Sequence, residues 1–480
     1  MEWTKEQLYM PIQEASAEDM AKLKEQVNQC QWRQSFHIQP PTGLLNDPNG
    51  LAYFNGEYHF FYQWFPLGPV HGLKYWKHLK SKDMVRWEDL GIGIAPDRYY
   101  DNCGAYSGSA IEHEDKLYLM YTGNRRDENW VRQPMQALAV MNRDSSITKL
   151  PEPVIKEVPT GYTDHFRDPK VWKQNGKFYA AVGAQRVNKT GCIVLYESHD
   201  LFNWKLKGEI ETAYDDFGYM WECPDYIELD GQGILIFSPQ GIEGANIYQS
   251  GYVLGQPLDL DALRFAGGEF QELDAGFDFY APQTFEDGQG RRILVGWMGL
   301  PEINYPTDSN QWAHCLTLPR ELKLVDGHLH QVPIEELKTL RKDFFEFTGF
   351  AKNSENIETG VHCELEVEFS QVRAKAIGLK LRVGAGEETV IRYNGKSIEL
   401  DRSLSGAPVA KDYGTVRSIP YTGSHLKLRI FMDTSSIEIF INDGQYVMSS
   451  RIFPSSESRG IEGFAHEGNC QINLKKWELK

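Results

Sequence analysis

The sequence has no run of about 18 apolar residues, the length that a membrane-spanning helix needs. The first 34 residues also lack the continuous apolar segment of a signal peptide. These two absences predict a cytoplasmic protein that does not bind a membrane.

Positive charge is also scarce. The 480 residues include 50 Lys and Arg against 67 Asp and Glu, so the formal net charge is −17. Binding to nucleic acid depends on clusters of Lys and Arg that replace counterions on the phosphates. No such cluster is found in the sequence, and nucleic acid is therefore not expected as a partner.

Cysteines are few and widely separated, and no two form a CxxC pair. The sequence contains Cys30, Cys103, Cys192, Cys223, Cys315, Cys363 and Cys470. An odd number without paired spacing predicts neither a disulfide framework nor a zinc site. We therefore expect reduced thiols that mostly pack in the interior, and no metal or cofactor.

Helical patterns are nearly absent as well. Only residues 16–30 combine a candidate cap, acidic residues in the first turn and one apolar face: Ser16, Glu18, Asp19, Met20, Leu23 and Val27. This predicts an N-terminal helical extension over residues 1–34. The rest of the chain, rich in Gly, Pro and aromatic residues, is predicted to be all-β.

What the sequence does contain is a repeat. A turn followed by a short apolar strand recurs five times, about 55 to 61 residues apart, beginning at Asn55, Glu114, Asn175, Asp230 and Asp287. Five such units predict a five-bladed β-propeller over residues 35–334. The alternative at this point is a β-sandwich with coincidental hairpin spacing.

The pattern of residues in the sequence changes after the repeats. Residues 335–345 are predicted to be a linker with some helical character. From residue 346 to 480, segments such as CELEVEF, LKLRIFM and SIEIFIND alternate apolar and polar residues. This alternation is typical of strands with one solvent-exposed face, and it predicts a C-terminal β-sandwich of two antiparallel sheets.

The segment just before each turn is predicted to be the same strand of each blade. Three of these segments carry an acid: Asp47, Asp168 and Glu222. Equivalent strands converge on the propeller axis, so the three carboxylates are expected to face one cavity. A carboxylic acid and a nearby carboxylate are the pair that retaining glycoside hydrolysis requires.

Each motif also has a structural interpretation. Asp47 lies in an Asn-Asp-Pro-Asn-Gly run that is typical of turns, and Arg167 with Asp168 is typical of a structural ion pair. Glu222 alone is compatible with a buried, hydrogen-bonded acid, and Asp225 is expected to be structural. Coincidence in corresponding strands of different units is much less common, so together the motifs favour a catalytic site.

Taken together, LLNDPNG, FFYQW, YSGSA, FRDPKVW, WECPD and DFYAPQ resemble glycoside hydrolase family 32, in order and in spacing. MDTSSIEIFINDG is similar to the family's sandwich signature. The family includes invertases, sucrose-6-phosphate hydrolases and fructan hydrolases, and its fold is a five-bladed propeller followed by a β-sandwich. The resemblance implies that Asp47 is the nucleophile, Glu222 the acid/base and Asp168 a transition-state stabiliser.

The resemblance also implies the substrate contacts. Polar sugar contacts are expected from Asn46, Gln63, Tyr106 and Ser107, and apolar or stacking surface from Trp64, Trp221 and Tyr280. Packing is an equally good interpretation of Trp64 and Tyr280. Arg167 is expected to help keep Asp168 ionised.

Two departures from the family pattern bear on the substrate. Leu44 and Leu45 replace a common Trp-Met, as in the bacterial sucrose-6-phosphate hydrolases, and are included among the candidate substrate contacts. Lys77 replaces a common Gly; a phosphate contact there is the weaker alternative to a solvated surface lysine. His71 and Lys74 are further candidates near the cavity mouth.

The predicted reaction is retaining cleavage of the β-fructofuranosidic bond of sucrose 6-phosphate, sucrose or both. Sucrose 6-phosphate is preferred because a sugar phosphorylated on import would meet a cytoplasmic enzyme. The alternatives are a hydrolase of fructo-oligosaccharides or fructans and, from another class, a non-catalytic carbohydrate-binding propeller. The sequence carries no signal for an oligomeric state.

Overall fold

A computed structural model describes residues 3–244 and 247–480. Within them, short 3₁₀ helices cover Ile12–Glu14, Pro306–Asn310, Glu335–Leu340 and Lys411–Tyr413, and the two α-helices are α1 (Lys5–Leu8) and α2 (Ala17–Asn28). The helix predicted over residues 16–30 is confirmed as α2. Its cap is as expected, because the Ser16 hydroxyl accepts the Asp19 amide at 3.0 Å.

The strands of the N-terminal half form four-stranded antiparallel blades in which neighbours in sequence pair. Blade 1 contains β1 (Gly43–Phe54), β2 (Glu57–Phe65), β3 (Tyr75–Ser81) and β4 (Trp87–Ile94). Blade 2 contains β5 (Ala105–His113), β6 (Lys116–Arg126), β7 (Arg132–Met141) and β8 (Ile147–Lys149).

Blade 3 contains β9 (Tyr162–Gln174), β10 (Lys177–Arg186), β11 (Gly191–Ser198) and β12 (Trp204–Glu209). Blade 4 contains β13 (Met220–Leu229), β14 (Gln232–Gln240), β15 (Gly251–Gly255) and β16 (Gly267–Glu272), and the fifth blade begins with β17 (Tyr280–Glu286) and β18 (Arg292–Met298). The five-bladed propeller predicted from the repeats is confirmed.

Apolar side chains fill the space between adjacent blades. Alternate residues of β6 point to opposite sides: Leu119 packs with Phe61 and Trp76 of blade 1, and Met120 packs with Phe178 of blade 3. A third cluster joins blades 3 and 4. Burying both faces of a blade fixes the radial order of the blades, and so it fixes the inner strands around one axis.

Later strands are β19 (Trp312–Ala313), β20 (Cys315–Leu316), β21 (Arg320–Val325), β22 (His328–Pro333), β23 (Arg341–Thr359), β24 (Cys363–Arg373), β25 (Ala376–Val383), β26 (Glu388–Tyr393), β27 (Ser397–Leu404), β28 (Val416–Pro420), β29 (Leu426–Asp433), β30 (Ser436–Ile441), β31 (Tyr446–Arg451) and β32 (Gly460–Leu479). The predicted linker at 335–345 therefore consists of a 3₁₀ turn and the start of β23.

The C-terminal strands form one continuous ten-stranded antiparallel sheet that curls around its own apolar core. The alternating segments predict a β-sandwich of two antiparallel sheets, and in the structure both layers belong to this one curled sheet. The layers are continuous because β32 pairs with β25 through its first half and with β24 through its second half.

By internal contacts the chain forms two compact units, and their bounds are discontinuous in sequence. The first comprises residues up to Leu23, Pro40–Glu272 and Tyr280–Trp297, and the second Lys24–Gln39, Leu273–Phe279 and Met298–Lys480. The domain limits given by the sequence analysis remain predictions. No helix among the described residues is both long and apolar enough to cross a membrane.

A fully buried charge network lies in the second unit. His37 bonds to Asp433 at 2.8 Å and to Glu438 at 2.9 Å, and Arg320 bonds to Glu438 at 2.6 Å and to Asp274 at 3.1 Å. Burial by itself lowers the pKa of His37, but the bonds and charges of Asp433 and Glu438 outweigh it and raise that pKa to about 9.

This raised pKa predicts how stability depends on pH. The folded state binds the His37 proton more tightly than the unfolded state does. Protonated His37 therefore contributes fully to the free energy of unfolding below about pH 6.5, and this contribution is lost as pH rises through 9. We expect a loss of about 3 kcal/mol over that range. Thermal unfolding of the wild type and of His37→Gln at pH 6, 8 and 10 checks this; an equally steep fall in the variant would contradict it.

Candidate active site

All five inner strands carry the same irregularity at the same place. Each of β1, β5, β9, β13 and β17 has one extra residue relative to the strand it pairs with, so that three residues of advance on the inner strand match two on its partner. Such an extra residue is a β-bulge. The bulges lie at residues 45–48, 105–108, 167–170, 222–225 and 280–283. Because a bulge interrupts strict alternation, successive side chains can point toward one cavity.

Positions within the bulges build two hydrogen-bonded rows across the blades. The first bulge position holds Arg167, Glu222 and Tyr280 in blades 3, 4 and 5. The third position holds Asp47 and Ser107 in blades 1 and 2. The members of each row bond to one another, as the distances below show. Repeating one backbone distortion thus places residues that are far apart in sequence side by side.

Asp47 is partly exposed and held by polar side chains. Its Oδ2 accepts a hydrogen bond from the Ser107 hydroxyl at 2.5 Å, and its Oδ1 accepts one from the Asn46 amide at 3.1 Å. Gln63 donates to Ser107 at 2.5 Å, and Lys74 donates to Asn46 at 2.8 Å. These bonds fix the direction in which the Asp47 carboxylate points.

Glu222 is held by different partners. The guanidinium of Arg167 donates to its Oε1 at 2.7 and 3.1 Å, and the Tyr280 hydroxyl donates to its Oε2 at 2.5 Å. The sequence analysis expected Arg167 to act on Asp168. The charge of Arg167 does act on Asp168 by lowering its pKa, but the carboxylate that Arg167 hydrogen-bonds is Glu222. Arg167 and Glu222 share the first bulge position, while Asp168 occupies the second.

Asp168 is 5% exposed and lies beside Cys223. Its Oδ2 accepts the Cys223 amide at 3.0 Å, and the Cys223 sulfur is 3.7 Å from that oxygen and 3.6 Å from Asp47 Oδ2. One thiol therefore contacts both carboxylates. Asp168 and Cys223 have φ values of 68° and 48° at the second bulge position, where the chain turns left-handed.

The three acids influence one another electrostatically. Burial raises the pKa of Asp47, and the charge of Glu222 adds to the rise. Burial likewise raises the pKa of Asp168 to about 7; Arg167 opposes this, while Glu222 and Asp47 contribute to it. Perturbed carboxyl groups gathered in one cluster are typical of general acid–base and nucleophilic catalysis.

Comparison with known proteins identifies the family. The model of the glycosyl hydrolases family 32 N-terminal domain matches residues 37–333, and that of the family 32 C-terminal domain matches residues 336–478. The chain belongs to glycosyl hydrolases family 32. The family predicted from the sequence motifs is therefore confirmed.

Individual relatives match over the whole length of the chain. A sucrose-6-phosphate hydrolase of Staphylococcus xylosus is 49% identical, over 100% of this chain and 99% of that protein. The solved structure of a sucrose-6-phosphate hydrolase from Lactobacillus gasseri is 39% identical with a TM-score of 0.94, covering 100% and 99%. A Bombyx mori GH32 β-fructofuranosidase mutant in complex with sucrose is 32% identical with a TM-score of 0.84, covering 96% and 97%.

Among the family 32 sugar contacts predicted from the sequence, Asn46, Gln63, Ser107, Arg167 and Tyr280 lie in the bonded rows or directly beside them. Tyr106 is half-buried at the second bulge position of β5. Whether these side chains touch a sugar stays a prediction.

Four apolar candidates lie in the protein interior. Trp221 is 1% exposed, stacks on Phe237 with 4.1 Å between ring centroids and donates to a backbone carbonyl at 2.6 Å. Leu44, Leu45 and Trp64 are 3%, 0% and 5% exposed. The structure favours the packing interpretation for these four, and a sugar contact there stays a prediction.

The three further candidates, Lys74, Lys77 and His71, lie in different surroundings. Lys74 is buried next to Asn46, and burial lowers its pKa to about 7 although Asp47 opposes the shift. Lys77 instead forms an ion pair with Asp89 at 2.6 Å, and His71 is exposed with its ring edge toward Trp297. Lys74 is thus the one of the three that is part of the carboxylate cluster.

A layer of polar contacts lies at the fourth bulge position, below the acids. Asp225 accepts the Thr284 amide at 2.8 Å and lies 3.0 Å from Lys170 Nζ. Gln283 donates to the Gly108 carbonyl at 2.7 Å. Asp225 is fully buried and its Oδ2 makes the contacts to Thr284 and Lys170, while its Oδ1 has no hydrogen-bond partner among the described residues. The contacts of Oδ2 support the structural role expected for Asp225.

Replacing Asp168 and replacing Asp225 by Asn are expected to change the stability of the protein in opposite directions. The raised pKa of Asp168 means that its carboxylate destabilises the folded state above about pH 7, and this effect vanishes below about pH 4. At pH 8 the free energy of unfolding of Asp168→Asn should therefore be about 2 to 4 kcal/mol higher than that of wild type. At pH 4 the difference should be small. Unfolding at both pH values measures the gain.

Asp225→Asn is the control, because it removes the charge that balances buried Lys170. The free energy of unfolding of Asp225→Asn should fall by about 3 to 5 kcal/mol relative to wild type at pH 8. Equal losses in the two variants, or no pH dependence for Asp168→Asn, would contradict the prediction.

Proposed function

We propose that this family 32 protein hydrolyses the β-fructofuranosidic bond of sucrose 6-phosphate, and of sucrose, with retention of configuration. The observation that carries the proposal is the division of the acids into two differently bonded groups. Asp47 accepts neutral donors, whereas Glu222 is held by Arg167 and Tyr280. Two carboxyl groups in unlike environments are what a nucleophile and an acid/base require.

In the first step Asp47 attacks C2 of the fructosyl group, and Glu222 protonates the departing oxygen. Ser107 and Asn46 hold Asp47 in position for this attack. The products of the step are a fructosyl–Asp47 ester and the released sugar. In the second step Glu222 removes a proton from water, and the oxygen of that water displaces Asp47 at C2.

The remaining residues of the cluster serve positioning and charge. Tyr280 and Arg167 anchor separate oxygens of Glu222, so its carboxyl group is oriented in both protonation states. Burial raises the pKa of Tyr280, which keeps its hydroxyl protonated as a donor. Asp168 binds sugar hydroxyls, and these contacts strengthen as positive charge develops on the fructosyl ring.

The full-length relatives named sucrose-6-phosphate hydrolases support the phosphorylated substrate. A panel of sucrose 6-phosphate, sucrose, 1-kestose and inulin tests this choice. We expect the highest kcat/KM for sucrose 6-phosphate. A higher value for 1-kestose or inulin would favour a fructan hydrolase, and no hydrolysis of any sugar would leave only carbohydrate binding.

Retention has its own test. Hydrolysis in the presence of methanol should give methyl β-fructofuranoside by NMR, because methanol replaces water at the fructosyl–enzyme. The α-anomer would contradict the double displacement. The cytoplasmic location and the lack of a metal cofactor belong to this proposal. Fractionation of cells, and turnover before and after EDTA treatment, would test them.

A further inference from the structure

Two arginines lie opposite one another at the edge of blade 2. Arg126 ends β6, Arg132 begins β7, and the two are direct cross-strand neighbours. Like charges in this arrangement repel by up to about 1 kcal/mol. Strand alternation places both on the same face of the blade as Met120 and Leu138, which pack against blade 3.

Neither arginine has an acidic partner in the part of the chain that the structure describes. Among residues 3–244 and 247–480, no carboxylate oxygen lies within 4.0 Å of either guanidinium, and the Nε of each is buried without a hydrogen-bond partner. Arg126 Nη1 donates to the Trp130 carbonyl at 2.8 Å. Asp127, the adjacent acid, binds the amides of Asn129 and Val131.

Two arginines described above have carboxylate partners, unlike this pair. Arg167 and Arg320 each bond to carboxylates, and the chain as a whole carries 17 excess negative charges. A buried guanidinium donor without an acceptor costs about 1 to 3 kcal/mol. Arg126 and Arg132 are half-exposed and lie side by side without a carboxylate partner. In an acidic protein, this arrangement indicates that their partner is an anion from outside the chain.

The arginine pair is connected to the catalytic cluster. Arg167, which holds Glu222, also contacts His165 Nδ1 at 3.1 Å. Burial lowers the pKa of His165, and the charges of Arg167 and Arg132 contribute to the shift. Arg132 also lines a cleft of about 490 Å³ together with Thr163 and Asp164 of β9.

The N-terminal segment adds further polar groups on the blade 2 loop. Lys5 Nζ lies 3.2 Å from the centroid of the Trp130 ring, and Tyr9 packs edge-on against the same ring at 5.0 Å. Burial raises the pKa of Tyr9, and Tyr106 adds to the rise while the charges of Arg126 and Arg132 oppose it. Arg126 also lies 5.1 Å from the centroid of the Trp130 ring, so Lys5, Tyr9 and Arg126 all contact this one ring.

We propose that Arg126 and Arg132, with Tyr9 beside them, bind the phosphate of sucrose 6-phosphate while its fructosyl group occupies the carboxylate cluster. The inference rests on the proposed function and specifies its phosphate site. Guanidinium groups bind phosphate oxygens through paired, charge-assisted hydrogen bonds. A phosphate would accept hydrogen bonds from the Nη groups of the two guanidinium groups and remove the repulsion between the arginines.

The test compares kcat/KM for sucrose 6-phosphate and for sucrose in wild type, Arg132→Gln and Arg125→Gln. Arg125 is the matched control: it is the neighbour of Arg126 on β6, and it points to the other face, 5.5 Å from the Tyr99 ring. The quantity compared is kcat/KM for sucrose 6-phosphate divided by kcat/KM for sucrose. Arg132→Gln should lower this ratio about 10- to 100-fold. Arg125→Gln should leave it unchanged within about twofold.

Product inhibition separates a sugar phosphate from a free anion. Glucose 6-phosphate should inhibit wild type more strongly than glucose or inorganic phosphate does, and Arg132→Gln should lose this preference. An unchanged substrate ratio in Arg132→Gln, or inhibition by inorganic phosphate as strong as that by glucose 6-phosphate, would overturn the phosphate site. Wild type that cleaves neither sugar would refute the proposed function itself.

Discussion

Asp47→Asn is expected to lower kcat for sucrose and sucrose 6-phosphate about 10⁴-fold or more, while the protein stays folded. The neutral amide keeps the shape of the side chain and can still accept a hydrogen bond from Ser107, but it cannot form the fructosyl ester. Steady-state turnover measures the loss. Thermal unfolding should give a Tm close to that of wild type, because Asp47 is partly exposed and makes no ion pair within 4.0 Å of its oxygens among the described residues.

The control for Asp47→Asn is Asp115→Asn, at the exposed turn between β5 and β6, which should keep wild-type kcat within about twofold. Mass spectrometry must exclude deamidation of the introduced amide, which would restore the carboxylate. Near-native turnover by Asp47→Asn protein that is verified to retain the amide would rule out Asp47 as the nucleophile.

Glu222→Gln is expected to lower kcat for sucrose about 10³- to 10⁵-fold, by a different route. The departing sugar can no longer be protonated, and water can no longer be deprotonated in the second step. A substrate with an acidic leaving group, such as p-nitrophenyl β-fructofuranoside, should still form the fructosyl–Asp47 ester. Azide needs no base, so it should restore turnover and yield β-fructofuranosyl azide.

These rescue results distinguish Glu222 from Asp47, because neither the activated substrate nor azide can help Asp47→Asn in the same way. Glu228→Gln, on the same strand β13 and exposed, is the control and should behave as wild type. If Glu222→Gln lost activity equally on activated and ordinary substrates, and gave no azide product, the acid/base assignment would be wrong. Mass spectrometry of the stalled Glu222→Gln protein should find the fructosyl group on Asp47.

Cys223 illustrates a residue whose importance sequence reasoning missed. It was expected to pack as an ordinary thiol, yet its sulfur contacts Asp47 and Asp168. Strict alternation would point neighbours 222 and 223 to opposite faces of a strand. The bulge removes this restriction. The positive φ at residue 223 left no recognisable signal in the sequence, since glycine is the residue that usually marks such a conformation.

Arg126 and Arg132 were missed for a related reason. They are six positions apart in a chain with 50 basic residues, and nothing local marks them. Their pairing depends on the register between β6 and β7, and the lack of acidic partners depends on what blade 3 and the N-terminal segment bring near them. Both are long-range properties that no window of sequence contains.

The sequence by itself determined the all-β class, the five blades, the family and the strands that carry Asp47, Asp168 and Glu222. Turn residues and apolar alternation are local, and a repeat amplifies them until they specify an architecture. Only the tertiary structure decided that Arg167 binds Glu222, that Trp221 is buried and that Lys74 joins the cluster. Those outcomes follow from bulges and from contacts between blades, where a shift of one residue changes which side chains meet.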